Sequence, residues 1–583
     1  MFTPTMHEIL TIQLGQFSNF VGTHFWNAQV TKPCTRFVSK DSYFTYGEDA
    51  PEPEVLHDVI FRTGVTQRGI ETYTPRLMVY DLKGGFGSLK KFNKLFEDTD
   101  KNPTDAIDFT WDQNVQQFAE EEYPKNEYLQ NLEEEEKENR AQQNQMEIEE
   151  QEEPNYHLDE QVHLWSDYNR IFYHPRSFNQ LTQYQLDNDF KPFDVFSYGR
   201  DAYDDAEKEL ETYDENFRFF AEECDAVQGF QFLTTTFDGF GGFATSFLET
   251  IRDDYPKTSI VTFGFSNPGD LTNEATYFSS YFCRSNKKQS LNTAFSTFNL
   301  TELSTLYVPL NPPRANELDS LGWSRHLSLD ASLPYHTSAL LSAGIETASL
   351  VYRNKKNFTP MCDLLSRINW RQNTKIGSLS LAFPLPIGQP ASGYGDVSKI
   401  VVNGRRSIFK DLSTRLDGSL EESMITQSLV VRGVPTEKDS RYKPTRSEFI
   451  SELLDKLTTV NGMLSLRNVV DTAYPLPDSH PRFFSGLDAS GLIDAHPRLR
   501  LQTRQHFSYL YAPVPHTRSV PVISRLSTTT RTRHTLQEQI HALRTINLKQ
   551  FPEYSEGAHG LTEDDVGEVK EKMYGLAEVY DES

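Results

Sequence analysis

Apolar and polar positions alternate along this chain in a way that predicts its elements. A short apolar run, Ile9 to Leu14, meets Gly15-Gln16, and apolar residues then recur at helical spacing through FSNFVGTHFW. That is a strand feeding a helix through a tight loop, where nucleotide-binding folds hold phosphates on outward-pointing N–H groups. Phe17 and Phe20 stand in and just after the loop, where a phosphate cradle usually has small residues. RLMVYDL (Arg76 to Leu82) reads as a second strand and runs into KGGFGSLKK. Further on, YDDAEKELETYDENFRFFAEECD places Leu210, Tyr213, Phe217, Phe220 and Ala221 on one helical face. AVQGFQFLTTT then reads as a buried strand, GFGGFATSFLETIRDDYPK as a Gly-rich loop and helix, and SIVTFGFS as the next strand. This rhythm predicts an α/β fold, a Rossmann-type parallel sheet with helices on both faces.

From about Val351 the pattern loosens. SLSLAFPLPI (Ser378 to Ile387) still reads as a strand, PTEKDSRYKPTRS (Pro435 to Ser447) as a loop or linker, and Leu561 to Val579 as a closing amphipathic helix. The expected division is a first part over 1–118, an insertion over 119–154, a continuation over 155–350, and a smaller mixed α/β domain with a helical C-terminal region over 351–583. Within the insertion, EEEEKENRAQQNQMEIEEQEEP is charged, Gln-rich and poor in apolar residues. Such a segment buries too little surface to offset its ordering entropy, so it is expected to be disordered. His-Pro-Arg recurs at His174, His480 and His496 without a period, which predicts turns and not repeats.

Composition narrows the class. The chain has 583 residues, 37% of them hydrophobic, with 40 Phe and 27 Tyr, enough for sizeable cores. No apolar run approaches the ~18 residues of a spanning helix. The first residues carry no Arg and run past Glu8 straight into a strand, an argument against a presequence or secretory signal. Four cysteines (Cys34, Cys224, Cys283, Cys362) lie far apart, which fits a reducing compartment such as the cytosol.

The net charge of −26 is uneven: Ala119 to Glu153 holds 14 acidic and 3 basic residues, Ala495 to Gln550 holds 1 acidic and 9 basic. The basic stretch (Arg498, Arg500, Arg504, Arg518, Arg525, Arg531, Arg533, Arg544, Lys549, with Phe507, Tyr509 and Tyr511 among them) has two readings. One is contact with anionic lipid or nucleic acid. The favoured one is a surface that pairs with the protein's own acid excess.

Three glycine-containing loops follow strands: Gly15-Gln16, Lys83-Gly84-Gly85-Phe86-Gly87, and Asp238-Gly239-Phe240-Gly241-Gly242. None matches GxxxxGK[ST] or a full GxGxxG fingerprint with its downstream acid. There is no HExxH, no GxSxG elbow and no His/Cys set with zinc spacing. His7-Glu8 reads as structural, and no catalytic constellation emerges.

HEILTIQLGQFSNFVGTHFW resembles the tubulin amino terminus, PRLMVYDLKGG the tubulin strand PRAILVDLEPG, and ECDAVQGFQFLTTTFDGFGGFATSFLETIRDDYP the tubulin stretch around GGGTGSG. RTGVTQRGIETYTPRLMVYDLKGGFGSLK, YPKNEYLQ, WSDYNRIFYHPRSF and LVVRG (Leu429 to Gly433) are similar to one tubulin-related group, the Misato family, in its fungal form. The resemblance implies a tubulin/FtsZ-like fold and a role in mitochondrial distribution and mitochondrial DNA inheritance. It implies a location at the cytosolic face of the mitochondrion with a cytoplasmic pool. It also implies cytoskeletal or mitochondrial fusion and distribution proteins as partners, peripheral contact with the outer surface of the organelle, and no direct nucleic-acid partner. Any retained nucleotide, GTP with magnesium, would be held by Gly15, Gln16, Asn19, Asp81, Gly239, Gly241 and Gly242.

The departures from tubulin argue against such a ligand. Tubulin's Cys after the Gln is Phe17, its next Gly is Ser18, and the Glu two positions beyond Asp81 is Lys83, which could itself meet a phosphate. GGGTGSG has become roughly TFDGFGG, placing Phe237, Asp238 and Phe240 in the loop. A carboxylate beside a triphosphate is repulsive, and the rings remove room. The loop near Pro360-Met361-Cys362-Asp363 lacks tubulin's Asn, and Ser366 falls where one tubulin class has a catalytic Glu. The expectation is a non-enzymatic interaction scaffold in which Phe17, Phe237 and Phe240 pack inward or narrow the mouth. The alternatives are a GTP-binding protein or weak GTPase, and a microtubule-associated or tubulin-assembly factor.

Overall fold

The computed structural model describes residues 7–30, 54–65, 71–89, 123–141, 156–188, 190–268, 280–315, 317, 326–388, 394, 397–403, 406–414, 423–436, 444–458, 464–493 and 517–581. Its first layer is a six-stranded sheet in the order β5-β4-β1-β6-β7-β8. These strands are β1 (Glu8–Leu14), β4 (Leu77–Lys83), β5 (Phe178–Gln185), β6 (Val227–Thr235), β7 (Ser259–Phe265) and β8 (Leu306–Leu310). Every pairing among them is parallel. A hairpin of β2 (Phe61–Val65) and β3 (Glu71–Pro75) precedes β4. The inner strands β1, β6 and β7 are buried on both faces, as parallel strands between helical layers must be, whereas the edge strand β5 has exposed positions.

The two-residue period of β1 divides the cores. Ile9 points into a cluster with α1 (Gln16–Asn27) and α6 (Pro334–Ser349). Leu10, Ile12 and Leu14 point to the opposite side. There they meet α3 (Phe196–Leu210), α4 (Phe240–Asp254) and α5 (Ser280–Leu303). α9 (Arg531–Thr545) and α10 (Glu563–Val579) return to this same side and close it. Thr562 caps α10 in a capping box with Asp565.

A second sheet, ordered β10-β9-β13-β11-β12, is mixed. Its strands are β9 (Ser378–Ala382), β10 (Lys410–Asp411), β11 (Met424–Arg432), β12 (Leu464–Val470) and β13 (Val522–Thr529). Only β11 and β12 run parallel; the others pair antiparallel. α8 (Arg446–Thr458) covers it with Phe449 and Leu453. α6 runs between the two sheets, and every residue from Tyr335 to Ser349 is buried.

In the last turn of α6, Glu346 meets two guanidiniums, all three side chains wholly buried. Arg353 donates to Glu346 Oε1 at 2.9 Å and to Gln29 Oε1 at 3.0 Å. Arg432, the arginine of LVVRG, donates to Glu346 Oε2, to the Ala473 carbonyl at 2.7 Å and to the Thr472 carbonyl at 3.2 Å. Burial pushes the Glu346 carboxyl upward and Arg353 pulls it back. Burial also lowers Arg432 to about 9. The triad ties the end of α1, the central helix and the second sheet at one point.

Three expectations change. The single helix expected from Tyr203 to Asp225 is broken: α3 ends at Leu210, Glu211 turns left-handed at φ 45, and a wider π turn covers Thr212–Phe217. The break lets Tyr213 stack on Phe217 at 5.1 Å and donate its hydroxyl to Asp254 at 2.6 Å. Those contacts outweigh the ~1–2 kcal/mol of a left-handed residue. Tyr213, Phe217, Phe220 and Ala221 are buried as expected, and Leu210 is half-buried.

The acidic run is not structureless throughout. It begins inside α2 (Glu127–Ala141), anchored by Tyr128 edge-on to Tyr156 at 5.0 Å and by Leu129 and Leu132 on the core. Asn126 accepts from the Leu129 amide at 2.9 Å and donates to the Asp167 carbonyl at 2.8 Å. Residues 142–154 lie outside the described residues, as do His496, Arg498, Arg500, Arg504, Phe507, Tyr509 and Tyr511. Third, the strand expected over Ser378 to Ile387 stops at Ala382.

The described part of the basic stretch pairs within the protein. Arg533 meets Asp581, Lys549 meets Glu563 at 3.3 Å, and Arg525 and Arg544 cover the rings of Phe409 and Tyr574. Among the described residues, no helix is long and apolar enough to cross a membrane.

Candidate nucleotide cradle

The three glycine loops converge at the carboxyl ends of β1, β4 and β6, where open α/β sheets hold ligands. In the first loop Gly15 has φ +94, and a Cβ there would lie 2.6 Å from Thr235 Oγ1 and 2.8 Å from the Phe240 ring. The first loop is therefore in contact with the third, with no gap for a phosphate between them. Asn19 bonds back to the Gly15 carbonyl at 2.9 Å, and Ser18 Oγ donates to the Leu233 carbonyl at 2.7 Å. Phe17 is buried edge-on to Phe265 at 5.9 Å, and Gln16 is half-buried.

In the second loop Asp81 is fully buried and enclosed by donors. Its Oδ2 accepts from Asn19 Nδ2 and from Trp165 Nε1, each at 2.9 Å, and its Oδ1 from the Leu82 amide at 2.8 Å. A Cβ at Gly85 would strike this carboxyl at 2.5 Å, so the loop itself presses on Asp81. Phe86 packs edge-on against Trp165 at 5.6 Å and against Phe178 at 5.8 Å. The turn Trp165–Tyr168 is held above the loop by Asp167, whose Oδ2 accepts from the Leu164 and His163 amides, and by Tyr168 Oη on the Phe20 carbonyl. Burial raises the Asp81 carboxyl to about 6 against the three donors that favour its charge. Lys83, half-buried, ends β4.

In the third loop Asp238 does what a bound anion would do. Its Oδ1 accepts from the Phe240 amide at 3.0 Å, the first residue of α4, and from Thr235 Oγ1 at 2.6 Å. Burial, with the Asp81 charge adding, raises its carboxyl to about 7. Phe240 is buried against Phe193 at 5.0 Å.

The glycines of this loop serve helix packing. A Cβ on Gly239 would enter the Phe193 ring at 2.8 Å, one on Gly241 would meet Ser296 Oγ at 2.0 Å, and one on Gly242 would meet the Phe196 carbonyl at 1.9 Å. Phe237 is half-buried, and its carbonyl accepts from Asn292 Nδ2 at 2.8 Å.

The seven expected residues are thus brought together; Asp81 and Asn19 Nδ2 are bonded to each other, the glycines are packed against neighbouring side chains and backbone, and Asn19 Oδ1 is left buried without a hydrogen-bond partner among the described residues. A triphosphate would have to displace Phe240 from Gly15, Trp165 from Asp81 and the Asp238 carboxylate from the α4 amide. The residues present do not fit a guanine nucleotide. The loop at Pro360–Asp363 is likewise engaged: Met361, first residue of α7 (Met361–Ile368), donates its amide to Gln228 Oε1 at 2.7 Å. Ser366 Oγ donates to the Cys362 carbonyl at 2.6 Å. Among the described residues no group of three or more His, Cys, Asp or Glu is placed to hold a metal ion. Trp165 and Phe193, which complete the closure, have no local signal in the sequence beyond their aromatic character.

The Misato segment II tubulin-like domain family matches residues 7–134, and a tubulin domain family matches residues 154–354. Protein DML1 of Gibberella zeae is 38% identical over 60% of this chain and 61% of its own length. Protein dml1 of Aspergillus niger is 38% identical over 60% of this chain and 62% of its own. Protein misato homolog 1 of Homo sapiens is 28% identical over 98% of both chains. The chain thus matches about three fifths of the length of those fungal relatives. With a parallel sheet closed by helices, a mixed second sheet and both families matched in order, the fold is tubulin-like and the chain is homologous to the Misato proteins.

Proposed function

We propose that this protein is a non-enzymatic, tubulin-like scaffold in the partitioning of mitochondria and the inheritance of mitochondrial DNA. It works at the cytosolic face of the organelle, held there by protein partners of the cytoskeletal or mitochondrial fusion and distribution machinery. The mitochondrial part of this reading rests on the family resemblance. The non-enzymatic part rests on one observation: Phe240 stands on Gly15 while Trp165 and Asn19 saturate Asp81, so the phosphate space is taken by the chain's own groups. A fold that carries its own occupant has its surfaces, not a turnover cycle, to offer.

Titration calorimetry of the purified full chain with GTP and magnesium tests the first part, with no binding heat up to millimolar nucleotide as the expected result. Saturable heat with GTP hydrolysis would replace the scaffold reading by a GTPase. Depletion of the protein in cells, followed by imaging of mitochondrial distribution to daughter cells, tests the second part. Normal partitioning would remove it.

A further inference from the structure

The two edges of the second sheet end differently. β10 is a strand of two residues, too short to template another chain. β12, at the other edge, has seven residues and pairs in parallel with β11 along its whole length, from Leu464 beside Thr426 to Val470 beside Arg432. Among the described residues no strand pairs with the far side of β12. An open edge of that length offers a row of main-chain N–H and C=O groups that a further strand can take.

The side chains of β12 divide between two faces. Arg467 meets Asp455 of α8 at 2.9 Å, and Val469 packs on the core that α8 covers. Leu464, Leu466, Asn468 and Val470 alternate with them and take the face of α6 and α7, where Leu466 and Val470 join the other core. Burial fades along this face toward its amino end: Val470 and Asn468 are buried, Leu466 is half-buried and Leu464 is 43% exposed. The Asn468 Oδ1 is buried without a hydrogen-bond partner among the described residues, which a finished fold rarely tolerates.

The same end of the sheet carries a second exposed apolar side chain. Thr426, the neighbour of Leu464, donates its hydroxyl to the carbonyl of Ile368 at 2.9 Å. Trp370, 54% exposed, stands two residues beyond Ile368, with the Arg371 guanidinium over its ring at 5.6 Å. From Leu364 to Lys375 the chain holds Arg367, Arg371 and Lys375 and no acid, although the protein as a whole carries a net charge of −26. Arg367 is shared with Asp363 at 2.9 Å.

We propose that the open edge of β12 seats an extended segment of a partner protein, apolar at alternate positions and acidic where it nears Arg371. The proposal deepens the scaffold reading, on which it rests, by naming the surface that the scaffold offers. An added strand meets three needs together: its backbone takes the edge, its alternate apolar residues extend the Leu464 and Leu466 face, and a donor of its own answers Asn468. A lipid surface would accept Trp370 and Leu464 but would leave the edge amides and Asn468 unsatisfied.

Selection of displayed random peptides of about eight residues, the length of an ordinary strand, against the full-length protein tests this. The enriched peptides should alternate apolar residues and carry acids, and the strongest, labelled for fluorescence anisotropy, should bind roughly tenfold more weakly to Leu464→Lys. Leu464 is exposed, so circular dichroism of that variant should match wild type. N-methylation of one alternate set of the peptide's amides should abolish binding, and methylation of the other set should spare it. Peptides that bind both proteins alike, that ignore methylation, or that fail to enrich would overturn the proposal. So would three other occupants: anionic vesicles that bind wild type and not Leu464→Lys, a dimer that Leu464→Lys splits, or peptide binding only after residues 31–53 are replaced by a Gly-Ser linker. Loss of peptide binding with no heat from GTP would defeat the docking edge alone, whereas GTP hydrolysis with peptide binding intact would defeat the scaffold reading alone.

Discussion

Trp165 donates its indole N–H to Asp81 at 2.9 Å, across 84 residues of sequence. The bond makes a buried carboxylate tolerable and at the same time lays an aromatic ring over the loop that would otherwise face a phosphate. Trp165→Phe keeps most of the apolar cover and removes the donor. Leaving a buried acid one bond short should cost about 1–3 kcal/mol, read as a lower urea midpoint. An unchanged midpoint would mean that solvent reaches Asp81.

Phe240 is the other half of the closure. Phe240→Ala should lower stability by about 3–5 kcal/mol, because the ring lies between Gly15 and Phe193 and leaves a cavity when removed. Millimolar GTP with magnesium should not restore the thermal midpoint of the variant, since Asp238 still occupies the α4 amide. Recovery of the midpoint on adding nucleotide would show that the ring alone keeps the ligand out.

The Glu346 triad can be tested by breaking one member. Glu346→Gln leaves the Arg353 and Arg432 guanidiniums buried together without their carboxylate, which should cost about 3–5 kcal/mol in denaturant unfolding. Replacing Glu346, Arg353 and Arg432 together by apolar residues of similar volume should recover much of that loss, because the desolvation penalty disappears with the charges. A triple variant no better than Glu346→Gln would show that Gln29, Thr472 and Ala473 depend on the arginines for their own satisfaction.

Acid should weaken the junction between α1 and residues 479–484. His24 and His480 are both buried, their rings 5.8 Å apart, and burial lowers both, His480 to about 3. A histidine kept neutral in the fold contributes stability that is complete above its unfolded value near 6.5 and is lost as pH falls toward the folded value. Hydrogen-exchange protection of the amides in α1 and residues 479–484, measured from pH 7 down to pH 4 and corrected for intrinsic rates, should therefore decline, and should decline less in His480→Phe. Equal slopes in the two proteins would place the acid sensitivity elsewhere.

The sequence carried the first sheet well, because β1, β4 and β6 are uninterrupted apolar runs that end in glycine loops. Of Phe17, Phe237 and Phe240, expected to pack inward or narrow the mouth, Phe17 and Phe240 are buried, while Phe237, beside the same loop as Phe240, is half-buried. Trp165 carries no signal of its own within WSDYNRIFYHPRSF, for its contact with Asp81 spans 84 residues and leaves no trace in local periodicity. Glu346 was equally hidden: it sits in an otherwise apolar and small-residue helix, and its meaning depends on Arg432, 86 residues away. Tyr213 misled because a π turn and a continued α-helix bury nearly the same residues. The helix over the acidic run was missed because its anchors, Tyr128, Leu129 and Leu132, all precede the charges.

Asn27, at the end of α1, donates to Ser479 Oγ at 3.0 Å, and these two residues stand 452 positions apart. A ribosome adding roughly 5–20 residues per second needs about 20–90 s to supply the second partner after the first. For that interval the buried end of α1, with Gln29 awaiting Arg353 and Glu346 awaiting Arg432, has no native surface to close against. The nascent amino-terminal half thus keeps an unfinished apolar surface until the last third of the chain has been made.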